Sequence, residues 1–216
     1  MGIFDINKLD IKTIETSAGK IHVMDNFYQN PIEVEKHILS HKCPLRFSED
    51  KSRFGFNGKH YEDRRHLIPS HELKSEVYDH ISEFLLNETG RIYKNKDSHQ
   101  ISTNSMQFLT RGFNNFKNYF WWPHIDKPEK MNMIVYFNKS TCGTNLYSNT
   151  TGKLPYYKEH FQPWCHKSNW EILYSITPKF NRMVIFDGTV YHGMDINSDV
   201  HFDYPRINQI AFFDLI

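Results

Sequence analysis

The chain has 216 residues and a formal net charge of +1, with no basic or acidic run, a balance that speaks against a nucleic-acid backbone as its main partner. That length suits one domain, able to bury about 70% of its unfolded surface without disulfide or metal staples. No apolar run approaches a membrane span, the N-terminus lacks the pattern of a secretory signal, and Cys43, Cys142 and Cys165 form no CxxC pair, so reduced thiols in a cytoplasmic protein are expected.

In chain order, residues 21–25 (IHVMD) predict a short strand. Asn30-Pro31-Ile32-Glu33 then reads as a helix start, with Asn as N-cap, Pro at N1 and Glu at N3, and the helix should run to about Ser40. Residues 44–69 read as irregular, punctuated by Gly55, Gly58 and Pro69. Ser70 is placed to cap a second helix, in which Leu73, Val77, Ile81, Phe84 and Leu85 recur at helical spacing before Gly90 stops it.

After about residue 100 the period changes. The runs SMQFL, MNMIVYFN, TNLYS, WEILYSI, RMVIFDG and RINQIAFF are short and β-rich, and Gly, Pro and Asn separate them. Short strands without intervening helices predict an antiparallel sandwich or jelly roll. The expected architecture is mainly β with N-terminal helices. Residues 1–100 buttress a cupin-like double-stranded β-helix over 101–216, all within one domain.

The chemistry gathers at His124-Ile125-Asp126. In a strand, alternate side chains share a face, so an imidazole and a carboxylate two residues apart can grip one metal ion. HxD alone is a weak signal, since roughly one chance occurrence is expected in a chain this rich in His and Asp. Two are present, and the second, His201-Phe202-Asp203, has no later histidine to complete a site. The first has His192, at the end of RMVIFDGTVYH. Two His and one carboxylate on one side of a metal leave three adjacent positions open, the facial triad of non-haem Fe(II) oxygenases. Those positions take O₂ and a bidentate co-substrate, in the largest such class 2-oxoglutarate, whose far carboxylate needs a buried cation. Arg suits that task through its permanent charge and its fork of donors. Arg206 is the one Lys or Arg after His192, and Asn208 lies two residues on, facing the same way.

Taken together, HID at 124–126, the following MIVYFN strand, GTNLY at 143–147, His192 and Arg206 resemble the Fe(II)/2-oxoglutarate dioxygenase superfamily. DNFYQNPIEVEKHIL at 25–39 and NRMVIFDGTVYHGMDI at 181–196 are similar to the opening and the distal-histidine segment of its bacterial and phage members. The resemblance implies Fe(II) held by His124, Asp126 and His192, with 2-oxoglutarate oriented by Arg206 and Asn208. It further implies that Tyr136 acts as the tyrosine that hydrogen-bonds 2-oxoglutarate in prolyl-hydroxylase-like members; Asn132, Ile134 and Tyr136 share one strand face. Two departures stand out: a 14-residue interval from His192 to Arg206, which predicts an extended loop at 193–205, and Arg-x-Asn where many members have Arg-x-Ser.

The activity so implied is hydroxylation of an unactivated C–H bond in a small molecule, amino acid or peptide, with release of succinate and CO₂. The alternatives are an oxidative nucleic-acid demethylase and a non-catalytic cupin-like metal- or ligand-binding module. By strand alternation Trp122 should share a side with His124 and Asp126 as a wall of the substrate pocket, while Trp121 packs against the N-terminal helices. Other features read as structural: His37 and His41 lack a third ligand, and His160, Cys165 and His166 suit a lid. Arg182, which precedes the distal histidine, is the rival to Arg206.

Overall fold

The computed structural model describes residues 2–40, 45–47, 61–69, 75–95, 100–108, 115–126, 130–137, 141–151, 164–196 and 206–216. Fourteen strands and three α-helices are formed there. They are β1 (Lys12–Thr16), β2 (Gly19–Met24), α1 (Pro31–Ser40), β3 (Leu45–Phe47), β4 (Tyr61–Pro69), α2 (Ser75–Thr89), β5 (Tyr93–Lys94) and β6 (Gln100–Phe108). The short helix α3 (Asn115–Asn118), β7 (Tyr119–Trp121), β8 (Lys130–Tyr136) and β9 (Thr144–Asn149) follow. Last come β10 (Trp164–His166), β11 (Trp170–Ile176), β12 (Arg182–Asp187), β13 (Tyr191–Met194) and β14 (Arg206–Leu215).

The large antiparallel sheet has the order β1-β2-β12-β8-β14-β6-β4-β3, with β5 on β14; the smaller has β11-β9-β13. From β8 to β14 the chain crosses between the large sheet (β8, β12, β14) and the smaller one (β9, β11, β13), while β7 and β10 pair in a third, two-stranded sheet. An isolated bridge, His124↔His192, joins the segment after β7 to β13. This is the double-stranded β-helix expected of the strand pattern. Among the described residues no helix is long and apolar enough to cross a membrane.

Alternation along β8 and β12 builds two cores. Met131, Met133, Val135, Met183 and Ile185 face outward and pack with Val34 and Ile38 of α1 and Val77, Ile81 and Leu85 of α2. Ile134, Tyr136, Val184 and Phe186 face inward and pack with Leu146 and Ile176 of the small sheet. Gly90 ends α2 at φ 70°, a left-handed position that suits glycine, with its N–H on the Leu86 carbonyl at 2.9 Å.

The structure departs from two sequence expectations here. Residues 44–69 are not irregular throughout: β3 and β4 pair with each other, and β4 pairs with β6 along its whole length. YEDRRHLIP shows no apolar alternation; a strand near the sheet edge is specified by backbone pairing, which such patterns do not register. Trp121, expected against the N-terminal helices, is buried but is not a member of either core cluster among the described residues. Its strand pairs with β10, Trp121 opposite Trp164. The expected cap at Ser70 and the apolar Leu73, together with His41, His160 and residues 197–205 of the expected loop, lie outside the described residues.

Candidate metal centre

His124, Asp126 and His192 come together: one ligand atom from each lies within 4.8 Å of the others. The backbone fixes all three. His124 and His192 exchange N–H···O bonds of 3.0 and 2.8 Å, and the Asp126 N–H donates to the Gly188 carbonyl at 2.9 Å. Each imidazole is oriented by its Nδ1, 2.7 Å from the Trp122 carbonyl in His124 and 2.9 Å from the Val190 carbonyl in His192. A carbonyl only accepts, so Nδ1 carries a proton in both rings, which leaves Nε2 as the atom that would face a metal.

Asp126 Oδ2 lies 3.2 Å from His192 Nε2. Burial pushes the Asp126 carboxyl up, but the hydrogen bond and charge of His192, the charge of His124 and the Asn132 amide together hold it below the ordinary value. The carboxylate is therefore ionised at neutral pH. Two imidazole nitrogens and one carboxylate oxygen on a shared side fit a divalent first-row metal with open positions.

Further along the inner face of the large sheet is a second polar group. Arg206 is 8% exposed, its Nε donates to the Cys142 carbonyl at 3.3 Å, and one terminal nitrogen donates to Thr144 Oγ1 at 3.2 Å. Tyr136 Oη meets the same Thr144 hydroxyl at 2.7 Å, and the guanidinium carbon sits 5.6 Å from the Tyr136 ring centroid. Among the described residues no carboxylate lies within ion-pairing distance of Arg206. A guanidinium has five N–H donors, so most of its donors and all of its charge are left for a ligand. Asn208 stands beside Tyr136 in the sheet register, is 0% exposed, and has neither amide atom hydrogen-bonded. Arg182, the rival cation, is committed elsewhere: its Nε and a terminal nitrogen bind the Asp25 carboxylate at 2.6 and 3.1 Å.

Two participants were not assigned a role from sequence. Asn132 donates its amide to Asp126 Oδ2, and Thr144 links Arg206 to Tyr136. Strand parity already put Asn132 on the face of Tyr136, and Thr144 sits in the quoted GTNLY run; nothing local marked either one as polar-facing.

Trp122 departs from the strand alternation assumed for it. Its φ is +45°, the left-handed region, so the chain turns between β7 and His124. Gly193 lies where this turn crosses β13: a Cβ there would stand 2.3 Å from the Trp121 carbonyl oxygen. The Trp122 ring is half-buried, its centroid 5.7 Å from that of His124. His201 and Asp203 of the second HxD lie outside the described residues.

No protein-family model and no curated protein sequence matches this chain. Among solved structures it is similar to the non-heme alpha-ketoglutarate-dependent epimerase SnoN from nogalamycin biosynthesis, at 9% identity and a TM-score of 0.45, over 90% of this chain and 78% of that one. EctD from S. alaskensis in its apo form gives 12% identity and a TM-score of 0.44 over 90% and 72%. IDO from Bacillus thuringiensis gives 11% identity and 0.34 over 83% and 96%. Likenesses this distant assign no residue, and the roles of the side chains rest on the geometry above.

Proposed function

We propose that the chain is an Fe(II)- and 2-oxoglutarate-dependent oxygenase, a cytoplasmic enzyme that hydroxylates an unactivated C–H bond of a small molecule, amino acid or peptide. The observation that carries this reading is the pairing, on one inner face, of a three-ligand cluster with a buried arginine that has no carboxylate partner among the described residues. His124, Asp126 and His192 would hold the iron. Arg206 would bind the far carboxylate of 2-oxoglutarate bidentately, with Thr144 fixing the guanidinium and Tyr136. Asn208, whose amide hydrogens have no acceptor, would donate to the same co-substrate. Iron and 2-oxoglutarate bound there with O₂ supply oxidative decarboxylation to succinate and CO₂, and with it the oxidising power for the C–H bond. The protein's own task is to orient: backbone-pinned imidazoles aim Nε2, and Trp122 beside His124 would wall the substrate pocket.

Succinate formation from 2-oxoglutarate with added Fe(II) tests the reading. His124→Ala, Asp126→Ala and His192→Ala should each abolish it and abolish metal binding, while His201→Ala retains both. Metal loss in His201→Ala with retention in His124→Ala would identify the other HxD as the site. A wild-type protein that binds iron yet consumes no 2-oxoglutarate across a panel of amino acids and peptides would leave the metal-binding module as the answer.

A further inference from the structure

On the reading of His124, Asp126 and His192 as metal ligands, we propose that Asn132 is a positioning residue of the centre, fixing the Asp126 carboxylate beside His192 Nε2. Asn132 is 2% exposed, on the inner face of β8. Its Nδ2 donates to Asp126 Oδ2 and lies 3.4 Å from His192 Nε2. One amide nitrogen thus reaches both ligand atoms, which themselves lie 3.2 Å apart.

The other end of the amide has no such use. Asn132 Oδ1 is buried with no hydrogen-bond partner, which costs stability. Stability alone would favour leucine in this row, flanked by Phe186 on β12 and Phe212 on β14. What the asparagine supplies is the bond to Asp126.

The surrounding backbone is built to keep that bond. Gly188 donates its N–H to the Lys130 carbonyl at 2.8 Å and accepts the Asp126 N–H at 2.9 Å. A Cβ on Gly188 would stand 3.0 Å from both Asn132 Oδ1 and the Lys130 carbonyl oxygen. The bare glycine therefore leaves Asn132 its room while its carbonyl holds the backbone of Asp126. Sidechain and backbone of the carboxylate ligand are set from the same few residues at the ends of β8 and β12. Partners of this kind, behind the ligands of a metal, orient them and raise affinity.

The test is Co(II) affinity and the visible Co(II) spectrum, measured without 2-oxoglutarate, for wild type, Asn132→Leu, Gly188→Ala and Asp126→Ala. Asn132→Leu should weaken binding about 10- to 100-fold and change the spectral envelope, with the melting temperature of the metal-free protein unchanged or raised. Gly188→Ala should show a smaller loss in the same direction, because its methyl presses on Asn132. Asp126→Ala should bind no cobalt. Wild-type affinity and spectrum in Asn132→Leu overturn the positioning role while leaving the metal site intact. Wild-type affinity in Asp126→Ala overturns the metal reading itself. If the leucine variant does not fold, unchanged affinity in Gly188→Ala overturns the proposal.

Discussion

The two faces of the large sheet differ by one residue along the same strands. Outward from β8 point Met131, Met133 and Val135, all 5% exposed or less and packed on the helices. Inward point Asn132, Ile134 and Tyr136, equally buried, among them an amide oxygen with no partner. β14 repeats the contrast, with Ile207, Ala211 and Phe213 outward and Arg206 and Asn208 inward. Outward polar residues do occur: His22 meets the Thr13 hydroxyl at 2.9 Å, and Gln209 takes the Tyr28 hydroxyl at 2.6 Å on its Oε1 while its Nε2 has no partner. The outer face is mostly resolved by packing, whereas the inner face holds Arg206, with no carboxylate within ion-pairing distance among the described residues, and the unpaired amide atoms of Asn132 and Asn208. Local rules of stability broken mainly on one face are a physical mark of a site.

The contrast breaks if truncations on the two faces behave alike. Phe213, fully buried outward beside Tyr78, should cost about 3–5 kcal/mol of stability as Phe213→Ala, with 2-oxoglutarate affinity retained in the folded fraction. Arg206→Leu, seven residues earlier on the same strand, should do the reverse. Replacing a buried charge without a carboxylate partner by an apolar side chain is neutral or stabilising. The affinity for 2-oxoglutarate should meanwhile fall about 100-fold, because the far carboxylate loses its cation in a dry site. Denaturant titration and 2-oxoglutarate binding to the metal-loaded protein give both quantities. A large stability loss in Arg206→Leu with unchanged affinity would make Arg206 a structural residue.

How much of this was legible in the sequence follows from what each signal measures. Short apolar runs located β8, β12 and β14 because both of their faces are largely buried and apolar side chains dominate them. The triad was legible for a related reason: ligand identity and spacing are local, and only the 68-residue span from His124 to His192 needed a topology. β4 was missed because backbone pairing, which leaves no periodic trace, specifies it. Asn132 and Thr144 escaped a role because their importance lies in which atoms they meet, and nothing in a strand's own sequence names its partners. The alternation rule does not extend to Trp122, where φ is positive, although its ring still adjoins His124.

Trp122 sharpens the comparison on the inner side. Its ring adjoins His124 and is half-buried, so Trp122→Ala should remove little of the core. Metal and 2-oxoglutarate binding should remain near wild type, while succinate forms faster than oxidised product because the substrate C–H bond is no longer held in place. Succinate and product measured side by side would show the split. Tight coupling in Trp122→Ala would remove the indole from the pocket wall.

The smallest expected effect concerns the arginine that resembles Arg206 but is neutralised. Arg182 pairs with Tyr136 in the sheet register, yet its guanidinium turns to Asp25, which also takes Lys179 at 2.8 Å. The hydrogen bond from Arg182, against the opposing effect of burial and with help from Lys179, lowers the Asp25 carboxyl from 3.8 to about 2. A carboxylate with a lowered pKa in the fold stabilises it above the unfolded value, and that contribution disappears as pH falls through the folded value. Asp25→Asn should therefore be less stable than wild type at pH 5–7, by on the order of 1 kcal/mol or less, since the carboxylate is about a third exposed. The difference should close between about pH 4 and pH 2. Melting temperatures of both proteins across that range provide the check; a gap that persists at pH 2 would show that Asp25 acts through packing and not through charge. The same scan on Arg206→Leu should show no such convergence, because among the described residues no carboxylate pairs with that arginine.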